Sequence, residues 1–565
     1  MKKKSYSIFA VLALVLVIAA AIVVFALIRK YTPNKEHEDL TTYYKLTNSD
    51  EVAIVLNNEV TSSKAKVIDG HIYVDYQFVH DNLNSRFYWD NNENILLYAT
   101  SQNLVSAQAD QTNYMITKSS VDYGRKIVTI SSDTTYIDLD FVKEYSDFIY
   151  KHIKNPHRII ITSQWGNYET ASVRRSASVR VRGGIKSPIL KELASKSEVT
   201  IIEQGDNWDK VMTEDGIIGY MQKRMLSNVE EKTRESDFTP DTFAHIKKDT
   251  DICMAWHQVT NQSANNAVST VLANTKGINV LSPTWFYLND NNGNIANLAS
   301  LNYVNYCHNQ GIEVWALVSN LENKNADTTE VLTHTSKRQN LVNQIVSMAI
   351  QYNLDGINVD FESMNSEKIG DAFIEFIREL SIKCRNNGVV LSVDNYVPSA
   401  YTSFYNRKEQ ANFADYVVIM GYDEHYAGSS EAGSVASLSW VTEGVNNTLK
   451  EVPADQVILG MPFYTRVWEI PSAADTKISS KIYGMKAASD LLATYGATKN
   501  WQEDCGQNYA EFTDNDATYK VWLEDSSSAE CRLKLVEENK LAGASFWKLG
   551  FETSDIWDTI TKYIH

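Results

Sequence analysis

From Asp251 to the C-terminus, short β-type apolar runs alternate with helix-like stretches. Strands separated by helices pair in parallel, because a tight hairpin turn is not available to them, and repeated βαβ units close into a barrel. The candidate strands are Ile252 to Trp256, Val280 to Thr284, Glu313 to Val318, Gly356 to Phe361, Val389 to Asp394, Tyr416 to Met420, Val457 to Met461 and Gly543 to Trp547. Between them, Leu341, Ile345, Met348 and Ala349 recur at helical spacing. Eight strands are the number that a (β/α)8 barrel requires. The long interval between Met461 and Gly543 holds two extra strand-like pieces, Asn508 to Phe512 and Tyr519 to Leu523, which predict an inserted α+β subdomain.

The fourth candidate strand carries the chemistry. In Asp355-Gly356-Ile357-Asn358-Val359-Asp360-Phe361-Glu362, alternation puts Gly356, Asn358, Asp360 and Glu362 on one face and Ile357, Val359 and Phe361 on the other. An apolar outer face packs under helices, and a polar inner face opens at the C-terminal mouth, where such barrels keep their active sites. Acids two residues apart on one face sit about 6 to 7 Å apart. Like charges at that range raise a pKa, so one carboxyl stays protonated and can serve as a general acid. A strand end bearing solvated acids has the same pattern. Asp355 falls on the opposite face and reads as support for the strand end.

Three further words stand at later strand ends: Met420-Gly421-Tyr422-Asp423, Gly460-Met461-Pro462-Phe463-Tyr464, and Trp547. With Asp355-Gly356-x-x-x-Asp360-x-Glu362, these four resemble the motifs of glycoside hydrolase family 18, the chitinases and N-acetylglucosaminidases, over residues 245 to 565. The resemblance implies a TIM barrel and hydrolysis next to N-acetylglucosamine. It makes Glu362 the acid that protonates the glycosidic oxygen. The attacking group is then the 2-acetamido oxygen of the substrate itself. Asp360 orients the acetamido N–H and stabilises the positive charge, Tyr422 holds the acetamido oxygen, and Trp547 forms an apolar floor under the sugar. Asn358, Met420, Asp423 and Tyr464 complete the implied substrate-binding set.

The chain departs from the family pattern twice. Asn358 stands where the usual word, Asp-Gly-x-Asp-x-Asp-x-Glu, has an acid. Asn hydrogen-bonds but cannot take up or lose charge near neutral pH, so an altered pH dependence is expected. The chitinase word Ser-x-Gly-Gly is replaced by Ala316-Leu317-Val318-Ser319-Asn320. That is similar to the branch containing spore-cortex and peptidoglycan N-acetylglucosaminidases.

Toward the N-terminus, Ile8 to Ile28 form a nearly unbroken apolar run flanked by Lys2, Lys3, Lys4 and by Arg29 and Lys30. Its length suits a single membrane-spanning anchor, and it is longer than the apolar part of a cleaved signal peptide. Residues 1–30 read as a Lys-rich cytoplasmic tip and a transmembrane signal anchor, and everything beyond would be extracellular. Residues 31–49 read as a linker. Residues 50–166 read as a duplicated β-rich stalk, because Tyr73-Val74-Asp75-Tyr76-Gln77-Phe78-Val79 recurs as Tyr136-Ile137-Asp138-Leu139-Asp140-Phe141-Val142. Its first copy resembles the copper amine oxidase N-terminal domain, without a ligand cluster for copper. In 170–228, Gly205-Asp206-Asn207-Trp208-x-Lys210-Val211 and Asp215-Gly216-x-x-Gly219-Tyr220 resemble a bacterial SH3-type domain, which implies contact with cell-wall peptide. A spacer with Trp208 as a core aromatic is the alternative.

The formal charge of −17 excludes a general nucleic-acid binder, which needs a basic patch against phosphate. Cys253, Cys307, Cys384, Cys505 and Cys531 show no metal-ligand spacing, and neither metal nor cofactor is expected; a Cys505–Cys531 bridge stays open. The expected whole is a membrane-anchored retaining glycosidase acting on peptidoglycan. A chitin or chito-oligosaccharide hydrolase and a non-catalytic glycan-binding wall protein are the alternatives.

Overall fold

The computed structural model describes residues 3–364, 366–472 and 477–565. The chain forms two compact units that do not follow chain order. One comprises residues 1–87, 107–114 and 121–240; the other comprises 88–106, 115–120 and 241–565.

The second unit is built on eight parallel strands: β1 (Ile252–His257), β2 (Val280–Leu288), β3 (Glu313–Ser319), β4 (Gly356–Asp360), β5 (Val390–Tyr396), β6 (Tyr416–Met420), β7 (Val457–Pro462) and β8 (Gly543–Trp547). They pair in chain order, and β1 pairs with both β2 and β8, so the barrel is closed. Helices such as Thr335–Gln351 and Ser366–Asn386 pack outside it. Two apolar layers follow from strand alternation. Ile357, Val359 and Phe361 of the β4 region face out into the layer under the helices, whereas Met254, Trp315, Val418 and Ile458 fill the barrel interior. Gly356 is dictated by that interior: a Cβ there would come within 2.6 Å of the Trp315 indole. Asp355 accepts hydrogen bonds from His308 Nε2 at 2.7 Å and from Val314 N–H at 2.8 Å, which ties the start of β4 to its neighbours.

Between β7 and β8, a five-stranded antiparallel sheet with the helix Met485–Thr494 forms the inserted subdomain. Its strands Gln507–Asp514 and Ala517–Leu523 extend the two pieces expected from sequence. The same unit also takes in a hairpin from far upstream, Tyr88–Asp90 paired with Ile95–Ala99. Asp90 Oδ2 accepts from both the backbone N–H and the hydroxyl of Thr335 at 2.6 Å. Arg338 lies over the Tyr88 ring at 4.9 Å.

The first unit begins with a helix, Lys3–Tyr31, and among the described residues its segment Ile8–Tyr31 is the one long and apolar enough to cross a membrane, as an anchor or a signal sequence. The following stretch, expected as a linker, is instead structured. Asn34 N–H donates to Ile185 O at 2.7 Å, Glu38 N–H to Ile189 O at 2.8 Å, and Ile189 N–H to Glu36 O at 2.9 Å. Lys186 Nζ reaches the helix end, at the carbonyls of Arg29 and Thr32. Asp39 then caps a short helix, Leu40–Tyr43, and Tyr44 is buried. Short polar sequence hides this ordering because the partners lie some 150 residues away.

Both copies of the repeat fold as strand, Asp cap and helix. Strands His71–Asp75 and Thr134–Asp138 pair antiparallel, and Asp75 and Asp138 each accept a backbone N–H from the helix that follows. Further on, seven antiparallel strands between Gly166 and Arg234 enclose a small core of Val173, Val179, Val199, Val211 and Met221. Trp208 is half-buried there and lines a groove of about 960 Å³ with Arg174, Arg224 and Tyr31.

Candidate active site

The polar side chains converge at the C-terminal ends of β4, β5 and β6. Asn358 is fully buried, and its amide is completely used. Nδ2 donates to Ser392 Oγ at 3.0 Å and to Asp394 Oδ1 at 2.8 Å; Oδ1 accepts from Trp256 Nε1 at 2.9 Å and Ser282 Oγ at 3.2 Å. Four bonds exhaust what a carboxamide offers. Asn358 was expected to bind substrate, but its bonds all go to protein, and it joins β1, β2, β4 and β5 across the interior. An acid at this position would set its carboxylate against that of Asp394.

Asp360 follows on the same face. Its Oδ1 is buried without a partner among the described residues. Burial, then the neighbouring charges of Glu362 and Asp394, push the carboxyl well above the usual carboxylate range. Glu362 lies in the loop just past β4, and its backbone is clamped. Asn320 Oδ1 accepts the Glu362 N–H at 2.9 Å, and Asn320 Nδ2 donates to the Glu362 carbonyl at 3.0 Å. Tyr405 O–H donates to the carbonyl of Phe361 at 2.7 Å. Burial raises the Glu362 pKa; a hydrogen bond from Tyr396 opposes this, and the Asp423 and Glu322 charges add to it.

Tyr422 stands beside these acids. Its hydroxyl is held well above its ordinary pKa by burial and by the charges of Asp394 and Asp360. The ring packs edge-on against Trp256 at 6.4 Å and against Tyr464 at 6.3 Å. Gly460 makes room for it, since a Cβ would approach Tyr422 Cε1 to 3.3 Å. Trp547 is half-buried at the end of β8, edge-on to Trp256 at 5.9 Å. Tyr464, expected at the substrate, is buried and donates its hydroxyl to Asp423 Oδ1 at 2.6 Å. Asp423 is the exposed member of that pair, and Met420 is buried at the end of β6.

Sequence reasoning missed Asp394, Tyr396, Asn320 and Trp256. The first two had a partial signal: Ser392, Asp394 and Tyr396 alternate as Asn358, Asp360 and Glu362 do, but the register that sets Asn358 opposite Ser392 is visible only in the fold. Asn320 and Trp256 had none. Cys505 and Cys531, whose pairing was open, are both free thiols.

A closed parallel barrel with carboxyl groups on successive inner positions at the end of its fourth strand has the layout of a barrel enzyme, with its site at the C-terminal mouth. The chain belongs to the glycosyl hydrolases family 18, whose profile matches residues 220–552. The copper amine oxidase N-terminal domain matches residues 52–156. Its residues do not fit a metal there: His71, Asp138 and Asp140 bring ligand atoms within 4.8 Å of one another, but Arg125 already donates to both carboxylates. Relatives include an uncharacterized glycosylase, YvbX, of Bacillus subtilis, 25% identical over 53% of this chain and 92% of its own length. The cortical fragment-lytic enzyme of Bacillus subtilis is 24% identical, over 47% of this chain and 63% of that protein. Among solved structures, the spore cortex-lytic enzyme SleL of Bacillus cereus superposes with a TM-score of 0.51 at 20% identity, covering 59% of this chain and 79% of that one. The C-terminal domain of a putative chitinase from Desulfitobacterium hafniense gives 0.51 at 19% identity, over 56% of this chain and all of that one.

Proposed function

We propose that the barrel cleaves β-1,4 bonds next to N-acetylglucosamine in peptidoglycan, with retention and with the substrate's acetamido group as nucleophile. The observation that carries this reading is the buried Oδ1 of Asp360, without a partner among the described residues, near a Glu362 whose pKa burial raises. An acceptor without a partner at a cleft end suits an amide N–H brought by the ligand. Glu362 donates its proton to the glycosidic oxygen as the acetamido oxygen closes on the anomeric carbon. Asp360 holds the acetamido N–H and faces the positive charge of the oxazolinium, and Tyr422 donates to the acetamido oxygen. Water, deprotonated by Glu362, then opens the ring from the face that the leaving group vacated, which restores the starting configuration.

Peptidoglycan is favoured over chitin by likeness to cortex-lytic relatives and by Asn320 standing where chitinases carry a glycine-rich word. In this reading the apolar helix is a single-pass anchor, the barrel is extracellular, and the 166–234 sheet is an SH3-type module for wall peptide. Mass spectrometry of products from peptidoglycan and from chitin oligomers, using residues 31–565 and its Glu362→Gln variant, tests it. Fragments ending in reducing N-acetylglucosamine from peptidoglycan, lost in the variant by about a hundredfold or more, are expected. Turnover of chitin alone would make the protein a chitinase. Binding without turnover would make it a glycan-binding barrel.

A further inference from the structure

Asp394 is a buried acid on the inner face of β5, outside the four words that carry the family resemblance. β4 and β5 run parallel with Asn358 opposite Ser392 and Val359 opposite Val393; one residue further along each strand come Asp360 and Asp394. Asp394 Oδ1 accepts from Asn358 Nδ2, while Asp360 Oδ1 has no donor among the described residues. The groups that face the two carboxyls are Glu362 and Glu322 from the loops after β4 and β3, Tyr405 from the short helix after β5, and Tyr422 from the end of β6. Tyr396, next on the inner face of β5, faces Glu362. Among the described residues, none of these neighbours is a cation. Two carboxyls at neighbouring inner positions, with no cation among the described residues facing them, disfavour a second negative charge near neutral pH.

We propose that Asp394 is the acid missing from position 358: it forms a one-proton pair with Asp360, and Asn358 fixes where the charge rests. Before substrate binds, the negative charge sits on Asp394, where the Asn358 amide donates to it, and Asp360 holds the proton. As positive charge builds on the sugar, the O–H bond at Asp360 breaks and one forms at Asp394. The pair keeps a single negative charge, and Asp360 carries it when the oxazolinium needs it. Asp394 does not touch the sugar and is a positioning residue. This inference rests on the proposed reaction.

The test is the pH dependence of kcat/KM on N-acetylglucosamine oligomers for the wild type, Asp394→Asn, and the exchange variant Asn358→Asp/Asp394→Asn, each with a thermal melt. The first ionisation of a pair has a pKa no higher than that of either member alone. Removing Asp394 leaves Asp360 to ionise in its buried place, so the acid limb moves to higher pH and activity near pH 6 falls roughly tenfold or more. The exchange variant returns an acid to the other end of the same hydrogen bond and brings the limb back. An acid limb that does not move in Asp394→Asn, or that moves equally in the exchange variant, overturns the proposal. Infrared difference titration without substrate reads the same pair: the wild type loses its last buried carboxyl proton in a separate step that Asp394→Asn lacks. Absence of that difference also overturns the proposal, whereas a wild type that turns over no glycan defeats the proposed reaction alone.

Discussion

Glu362 is held between two opposing effects. Burial favours its neutral form, and the Tyr396 hydroxyl, by donating to it, favours the ion. A general acid works while protonated, so activity is lost as pH rises through its pKa. Tyr396→Phe removes the donor and pushes that pKa further up. The alkaline limb of kcat/KM should therefore shift to higher pH, by about one unit, while the melting temperature stays nearly constant. A shift downward or none would mean that another group sets that limb. The pairing of Asp360 with Glu362 was legible in the sequence because alternation along one strand needs no tertiary knowledge. The donor was not. Tyr396 reaches Glu362 from the next strand, and which residues meet across strands is decided by register, which Asn358 and Ser392 reveal only once folded.

Helix Thr335–Gln351 lacks a cap of its own, since His334 at its N-cap makes no side-chain cap bond. Its free N–H groups are met by the upstream hairpin instead: Asp90 accepts from Thr335, and Glu93 accepts from the N–H of Ser336 at 3.0 Å. Two carboxylates at a helix N-terminus also favour the helix dipole. Asp90→Ala leaves a buried N–H and hydroxyl unpaired and should cost about 1–3 kcal/mol in chemical denaturation of the barrel unit. An unchanged midpoint would show that water replaces Asp90 without loss. The eight barrel strands could be read from sequence because each is a dense apolar run. The hairpin's membership in the barrel unit could not, for its caps act on a helix that begins 245 positions later.

At the scale of the molecule, the two units interleave along the chain, with 88–106 and 115–120 belonging to the barrel although 107–114 and 121–240 do not. A fragment starting at residue 245 therefore omits part of the barrel's own unit and bares Thr335 and Arg338, both buried in the whole protein. Its thermal midpoint, followed by circular dichroism, should lie about 5 °C or more below that of the same unit within residues 31–565. Equal midpoints would show that the hairpin is an ornament. A different consequence follows from the paired stretch after the apolar helix. Only Thr32 and Pro33 separate the helix end at Tyr31 from Asn34, where pairing with the small sheet begins, and Lys186 bolts that sheet to the last turn. Two residues are all the chain leaves between helix and sheet at this joint. A helix held in a membrane would carry the sheet as a rigid crank, and any twist of the helix would turn the groove that bears Trp208 through the same angle.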